Sequence, residues 1–125
     1  MTSQRILFAE DDLDNREVTS LILSMAGFDV VTVPSGAEVI ALAERSRFDL
    51  ILLDNWLNDI SGVEVCRKIR KSNPTLPIVF YSGAVRDGDK KEAMECGAQA
   101  YIVKPTQMEM LCETLHKVIA GLQTD

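Results

Sequence analysis

Several features that would define a protein class at once are missing or scarce in this sequence. The 125 residues include three cysteines, Cys66, Cys96 and Cys112, an odd number with no C-x-x-C spacing. That usage argues against a disulfide framework or a zinc site and suits a reducing compartment. No apolar run is long enough to cross a bilayer and the N-terminus has no signal-peptide pattern. We therefore expect a cytoplasmic protein with no membrane partner.

Positive charge is also scarce, since 13 Lys and Arg residues face 19 Asp and Glu residues for a net charge of −6. This balance argues against the domain itself holding a phosphate backbone, so we expect no direct nucleic-acid partner. The sequence has no G-x-x-x-x-G-K-[ST] or G-x-G-x-x-G signature of nucleotide binding. No repeat or linker divides the chain, and its length fits one compact domain over residues 1–125.

The sequence does contain a regular alternation of short apolar runs and helix-length segments. The runs predict five strands: Arg5–Ala9, Phe28–Val33, Leu50–Leu53, Ile78–Tyr81 and Ala100–Val103. Four of them are continuously apolar, which is typical of central strands in a parallel sheet that is covered on both faces.

Helix signals lie between and after these runs. Three segments, Ser35–Glu38, Ser61–Glu64 and Thr106–Glu109, fit the capping box that starts a helix. Apolar residues recur at helical spacing in the first segment (Val18, Leu21, Ile22, Met25) and in the last (Leu111, Leu115, Val118, Ile119, Leu122), and Gly27 and Gly97 can close two helices. Five successive βα units predict an α/β fold with an open five-stranded parallel sheet, doubly wound by helices into three layers.

Polar residues follow four of the predicted strands, at the edge where such sheets bind ligands. They are Glu10, Asp11 and Asp12 after the first strand, Asp54 and Asn55 after the third, Ser82 and Gly83 after the fourth, and Lys104 and Pro105 after the fifth. Taken singly, the acidic run could be helix-start charge, Asp54 or Ser82–Gly83 a turn, and Lys104 a solvated charge. The constellation is more specific than its parts.

These groups together suit phosphoryl chemistry. Clustered carboxylates repel one another and favour a divalent cation, and Mg²⁺ (or Mn²⁺) is held by a few protein oxygens. A hydroxyl, a backbone N–H and an ammonium are the donors that phosphoryl oxygens need. A carboxylate nucleophile at Asp54 can accept the phosphoryl group as an aspartyl phosphate.

The sequence resembles the receiver domain of two-component response regulators (the CheY-like superfamily, with a flavodoxin-like fold) from Arg5 to Leu122. The matching segments are FAEDD, LILLDNWL, VFYSGA and AYIVKP. The resemblance implies metal ligands at Glu10, Asp11, Asp54 and the Trp56 carbonyl, a phospho-acceptor at Asp54, and phosphate partners at Ser82 and Lys104. It also implies a switch pair of Ser82 and Tyr101, a cis Lys104–Pro105 peptide, and control of hydrolysis by the side chains of Trp56 and Ala84.

This chain departs from the pattern of the family at several positions. Asn58 stands where proline is usual, Ser82–Gly83 where Thr-Ala is common, and Thr106 where Phe is common. None of these changes removes a chemical group from the site. They leave open the geometry of the loop after Asp54 and the nature of the partner surface.

The resemblance implies a signalling domain rather than an enzyme, one that catalyses only its own phosphorylation and dephosphorylation. Its donor would be a sensor histidine kinase or a histidine phosphotransfer protein. Phosphate would switch a surface of the fourth helix, fifth strand and fifth helix that binds a downstream protein or output domain, or forms a homodimer. We expect no output domain in this chain, which leaves open whether it stands alone or is cut from a longer regulator or hybrid kinase.

Other interpretations fit the sequence less well. A haloacid-dehalogenase-like phosphatase needs a second Asp at position 56, which is Trp, and a flavodoxin needs a hydroxyl-rich loop in place of Glu10–Asp12. The serious alternative is an interaction module that keeps the receiver fold without being switched by phosphate. Such a module typically loses the acidic pair, the acceptor Asp or the Lys, and this sequence has all of them.

Overall fold

The computed structural model describes residues 3–83, 88–104 and 106–121. Strands and helices alternate along the chain in the order β1 (Arg5–Ala9), α1 (Leu13–Met25), β2 (Asp29–Val33), α2 (Gly36–Arg45), β3 (Leu50–Leu53), α3 (Gly62–Ser72), β4 (Ile78–Ser82), α4 (Asp89–Glu95), β5 (Ala100–Val103) and α5 (Met108–Ile119). The strands form one parallel sheet in the order β2-β1-β3-β4-β5. The predicted α/β fold is confirmed.

The two faces of the sheet carry separate cores because successive side chains of a strand point to opposite faces. Leu7, Ile51 and Phe80 belong to the core that includes side chains of α2, α3 and α4. Phe8 and Leu52 belong to the other core, which includes side chains of α1 and α5. Burial on both faces explains why the central strands are apolar at every position. This three-layer arrangement leaves the strand ends as the place where polar side chains can gather.

Most of the predicted boundaries agree with the structure. Three strands have the predicted bounds, whereas β2 begins one residue later than predicted and β4 extends to Ser82. Ser35 and Ser61 cap α2 and α3 by accepting hydrogen bonds from the backbone N–H three residues on. Gly27 and Gly97 have φ values of 100° and 109° just after their helices, the left-handed conformation expected of a terminating glycine.

The capping box predicted at Thr106 is wrong. The N-cap of α5 is Gln107, which makes no side-chain capping hydrogen bond, and the helix begins at Met108. Glu109 is therefore the second helical residue rather than the third, so it does not stand at the capping-box position.

The apolar residues that predicted α1 do not form its buried face. Thr19 and Leu23 are buried, whereas Val18, Leu21 and Met25 are exposed. Leu111, Leu115 and Val118 of α5 are buried as the spacing suggests, and Leu122 lies outside the described residues.

In the described part of the chain, no helix is long and apolar enough to cross a membrane. All three cysteines are free thiols.

Candidate functional site

Four strand ends bring the main candidate residues together. Ala9 pairs with Leu53 across β1 and β3, so the next residues, Glu10 and Asp54, emerge side by side. Ser82 ends β4 and pairs with Val103 of β5, which places Lys104 one residue beyond that pair. Glu10, Asp54 and Ser82 are all buried. The parallel register thus creates a polar cluster at the carboxyl edge of the sheet.

Both carboxylate oxygens of Asp54 accept hydrogen bonds. Oδ1 accepts from the backbone N–H of Trp56 at 2.9 Å and from the Ser82 hydroxyl at 3.0 Å. Oδ2 accepts from Lys104 Nζ at 3.1 Å. The acceptor carboxylate is therefore surrounded by the hydroxyl, amide and ammonium donors that the sequence predicted for phosphoryl oxygens.

Lys104 lies between two carboxylates. Its Nζ is 2.5 Å from Glu10 Oε1 as well as 3.1 Å from Asp54 Oδ2. The exposed fraction of the side chain is 21% for Lys104, 2% for Glu10 and 11% for Asp54. Arg16 Nη1 adds a hydrogen bond of 2.8 Å to the backbone carbonyl of Glu10. One ammonium thus serves two carboxylates that water hardly reaches.

The two carboxylates respond differently to this shared cation. Burial raises the pKa of Glu10 above its ordinary value, and the nearby Lys104 opposes burial without cancelling it. Burial also opposes ionisation of Asp54, but the Trp56 N–H and Lys104 outweigh it and lower the pKa of that carboxyl. Burial likewise disfavours the charged ammonium, yet the two carboxylates outweigh it and raise the pKa of Lys104. Asp54 is consequently ionised at neutral pH and available as a nucleophile.

The loop between β3 and α3, residues 54–61, is folded tightly against the site. The backbone N–H of Gly62 donates to the carbonyl of Asn55 at 3.1 Å, and that of Val63 donates to Asn55 Oδ1 at 3.2 Å. A Cβ at Gly62 would lie 2.8 Å from the backbone oxygen of Asp54 and 2.9 Å from the Phe80 ring. Gly62 is required here because of this close approach.

The remaining acidic residues of the first strand end have separate positions. Asp11 is partly exposed beside the buried Glu10. Asp12 is the N-cap of α1, where its Oδ2 accepts from the backbone N–H of Asn15 at 2.9 Å. The helix-start interpretation is therefore correct for Asp12, whereas Glu10 belongs to the polar cluster.

The donor set fits a hard divalent cation. Two buried carboxylates lie close enough to share one ammonium, Asp11 directly follows Glu10 in the chain, and the loop after Asp54 returns the Trp56 N–H to that carboxylate. Within the described ranges, no group of three carboxylate, thiol or imidazole side chains is arranged to hold a metal ion. A cation here would depend on backbone carbonyl and water ligands in addition to the carboxylates, which is how Mg²⁺ is commonly held.

The predicted switch residues contact one another. The Tyr101 ring stacks on Phe80 with centroids 5.7 Å apart and planes 11° apart. Burial raises the pKa of the Tyr101 hydroxyl, against an opposing hydrogen bond with the Ser82 side chain. Ser82 also donates to Asp54, so its hydroxyl connects the Tyr101 hydroxyl to the acceptor carboxylate. Ala84 and Pro105, and with Pro105 the predicted cis peptide, lie outside the described residues.

Sequence reasoning missed two contacts of this edge. Arg16 contacts the Glu10 carbonyl, and Asp59 contacts the start of α2 through the N–H groups of Gly36 and Ala37. No motif marks either contact. In each contact a side chain meets backbone atoms of another segment, and only folding brings the two segments together.

Comparison with known proteins assigns this chain to one family. The family model of the response regulator receiver domain matches residues 6–116. The cell cycle transcriptional regulator CtrA of Caulobacter vibrioides is 34% identical over 115 residues, which are 92% of this chain and 50% of CtrA. The chain belongs to the receiver domains of response regulators, a family of two-component signalling. It spans about half the length of the curated relatives it matches.

Solved structures agree with this assignment. A CheY-like response regulator receiver domain protein from Methanospirillum hungatei has a TM-score of 0.91 at 28% identity, with 96% of each chain covered. The receiver domain of the sensor histidine kinase PA1611 from Pseudomonas aeruginosa has a TM-score of 0.88 at 30% identity, with 95% of this chain and 99% of that one covered. In that crystal structure a magnesium ion is coordinated in the active site cleft.

Proposed function

We propose that this domain accepts a phosphoryl group on Asp54 from a phosphohistidine donor and uses it to switch a protein-interaction surface. Support comes from one observation above all: the buried carboxylate of Asp54 accepts hydrogen bonds from a hydroxyl, an amide N–H and an ammonium on its two oxygens. These three donors can pass to the oxygens of an incoming phosphoryl group.

The transfer joins a carboxylate oxygen of Asp54 to phosphorus and breaks the bond from phosphorus to the donor nitrogen. The bonding electron pair leaves with the imidazole nitrogen of the donor. Ser82, Lys104 and the Trp56 N–H stabilise the charge on the phosphoryl oxygens. Glu10, Asp11, Asp54 and the Trp56 carbonyl would hold Mg²⁺, which when bound neutralises charge between carboxylates and phosphoryl oxygens. No external substrate is turned over, so the domain is a signalling receiver rather than an enzyme.

The donor is a cytoplasmic sensor histidine kinase or histidine phosphotransfer protein. It has to reach Asp54 from the carboxyl edge, where Leu13 begins α1 and the Trp56 side chain is 51% exposed. Val18, Leu21 and Met25 also expose apolar side chains on α1. Exposed apolar side chains of this kind suit contact with a protein donor.

The switched surface consists of α4, β5 and α5. Ser82 and Tyr101 connect it to Asp54, and Met94, Val103 and Met110 expose apolar side chains on its three elements. A downstream protein, an output domain or a second copy of the chain would bind there. Phosphorylation is expected to change amide-exchange protection of this surface in the parent and not in Lys104→Ala, because Lys104 couples the phosphoryl group to β5. Equal changes in both proteins would exclude Lys104 as the coupling residue.

The decisive experiment is labelling by a small phospho-donor with Mg²⁺, followed by intact mass. The parent should gain one phosphoryl group, Asp54→Asn should gain none, and Asp49→Asn at the opposite edge of the sheet should label like the parent. Undiminished labelling of Asp54→Asn would remove Asp54 as the acceptor. Failure of the parent to label would favour the phosphate-independent interaction module.

A further inference from the structure

The loop between β3 and α3 is anchored to a third element, the helix α2. No motif of the family indicates this contact. The backbone N–H of Gly36 donates to Asp59 Oδ1 and that of Ala37 donates to Asp59 Oδ2, both at 2.9 Å. One carboxylate thus spans the first two N–H groups of α2. Asp59 lies 22 and 23 residues along the chain from these partners, so the contact is tertiary.

Apolar packing reinforces this anchor. A Cβ at Gly36 would lie 2.6 Å from Ile60 Cγ1 and 2.7 Å from Val65 Cγ2. The absence of a side chain at Gly36 therefore lets Ile60 rest against the start of α2. Asp59 and Ile60 attach the loop to the helix by hydrogen bonding and by packing at adjacent positions.

The start of α2 is itself positioned relative to the acidic cluster. The backbone N–H of Glu10 donates to the carbonyl of Val33, three residues before Gly36, at 3.2 Å. At the other end of the loop, the Trp56 N–H donates to Asp54 Oδ1 at 2.9 Å. Asp59 therefore closes a ring of contacts. Through Val33 and the start of α2, the ring fixes the position of the loop that carries Trp56 relative to Glu10 and Asp54.

This ring matters because the loop lacks the proline usual in the family, with Asn58 in its place. A proline ring restrains the backbone by fixing φ. A bidentate carboxylate on two N–H groups restrains it by charge-assisted hydrogen bonds, which also suit the positive end of a helix dipole.

We propose that Asp59 is a positioning residue for phosphorylation, which clamps the loop to α2 so that the Trp56 carbonyl and N–H stay aligned with Glu10 and Asp54. The inference rests on the proposed function, because it concerns the cation and phosphoryl group of the same site. Asp59 itself touches neither. Its effect passes through the backbone of Trp56.

The test compares Asp59→Ala and Asp59→Asn with a control, Ser35→Ala. Ser35 caps the same helix by accepting from the Glu38 N–H, but it does not hold the loop. MgCl₂ is titrated against the fluorescence of Trp56, the single tryptophan of the chain. Thermal unfolding of each variant verifies that it is folded. Asp59→Asn, which keeps one acceptor oxygen, serves if the Ala variant does not fold.

We expect Asp59→Ala to weaken Mg²⁺ binding by about tenfold, in the range typical of residues that orient metal ligands. Asp59→Asn should weaken it less, and Ser35→Ala should leave it within about twofold of the parent. In the metal-free proteins, amide exchange at Trp56 should be faster in Asp59→Ala than in Ser35→Ala. Unchanged Mg²⁺ affinity in Asp59→Ala, or an equal loss in Ser35→Ala, would overturn the assignment. A parent that binds no Mg²⁺ would instead remove the proposed function and this inference with it.

Discussion

A basic residue contacts carboxylates at each edge of the sheet, and the two sets of charged residues differ in how far water reaches them. At the amino edge, the backbone N–H of Arg5 donates to Asp49 Oδ2 at 2.7 Å, and Arg5 Nε lies 3.5 Å from Asp29 Oδ2. The side chains of Arg5 and Asp29 are 40% and 57% exposed. Water therefore screens this set, and its charges cost little to keep.

At the carboxyl edge, Lys104 contacts Glu10 and Asp54, whose side chains are almost fully buried. Two buried carboxylates with one ammonium leave an excess of negative charge, which is costly without a further cation. Similar side chains thus make a structural surface pair at one edge and an unbalanced site at the other. Burial, rather than the list of charged residues, separates the functional edge from the structural one.

Removal of the basic residue should destabilise the protein far more at the carboxyl edge than at the amino edge. Lys104→Met leaves Glu10 and Asp54 uncompensated, and we expect it to lower the free energy of unfolding by about 2 kcal/mol. That figure is below the full cost of a broken buried pair, because Glu10 can take up a proton. Arg5→Met should lose no more than about 1 kcal/mol. Urea unfolding at neutral pH measures both, and equal losses would contradict the distinction drawn from burial.

Water access at the carboxyl edge should matter for a second reason, since water is the reactant that removes the phosphoryl group. The indole of Trp56 cannot accept a proton from an attacking water and can block its approach, so unaided dephosphorylation is expected to be slow. Trp56→Asn keeps the backbone carbonyl and adds a polar group that can orient the water. We expect roughly tenfold faster loss of phosphate in this variant.

Trp56→Phe is the matched control, because it shortens the aromatic side chain without adding a polar group. Its dephosphorylation rate should stay close to that of the parent. If Trp56→Asn is no faster than Trp56→Phe, the side chain at this position does not control the water. The companion position, Ala84, can be tested in the same way with Ala84→Glu.

The pH dependence of stability should show that, of the two buried carboxyl groups at the site, Glu10 is the one whose charged form is disfavoured by burial. Its pKa in the folded protein is raised, so folding favours the protonated form. The stability that protonation contributes is complete below the unfolded pKa of about 4.3 and is lost as pH rises through the folded pKa. The Gln side chain of Glu10→Gln does not titrate, so its contribution to stability does not change with pH. Its stability relative to the parent should therefore increase from pH 4 to pH 7 in urea unfolding, and a constant difference would contradict the raised pKa.

Much of this fold was predictable because burial on both faces leaves a simple pattern in the sequence. A strand such as β3 is apolar at every position, and the polar residues after four strands converge since parallel strands end at one edge. The exposed face of α1 was not predictable, because helical spacing gives a stripe without saying whether a neighbour covers it. The Asp59 contact was not predictable either, since nothing local relates a loop residue to a helix 22 residues away.

Asp59 offers the finest test of whether burial or location decides the energetics, because it lies at the carboxyl edge but is exposed. The N–H groups of Gly36 and Ala37 outweigh desolvation and lower the pKa of its carboxyl. A lowered pKa contributes stability above the unfolded value of about 3.9, and that stability is lost as pH falls through the folded pKa. The parent should therefore exceed Asp59→Asn in stability by about 0.5 kcal/mol at neutral pH, in line with an exposed charge at a helix start.

That difference should close as the pH is lowered toward 3, and it should shrink in high salt because an exposed charge is screened. Other carboxylates titrate in the same range, but both proteins share them, so their contributions cancel in the comparison. A difference that persists unchanged at pH 3 would mean that the charge of Asp59 does not stabilise the contact with α2. A loss as large as that of Lys104→Met would mean that position at the carboxyl edge, rather than burial, sets the energetic cost.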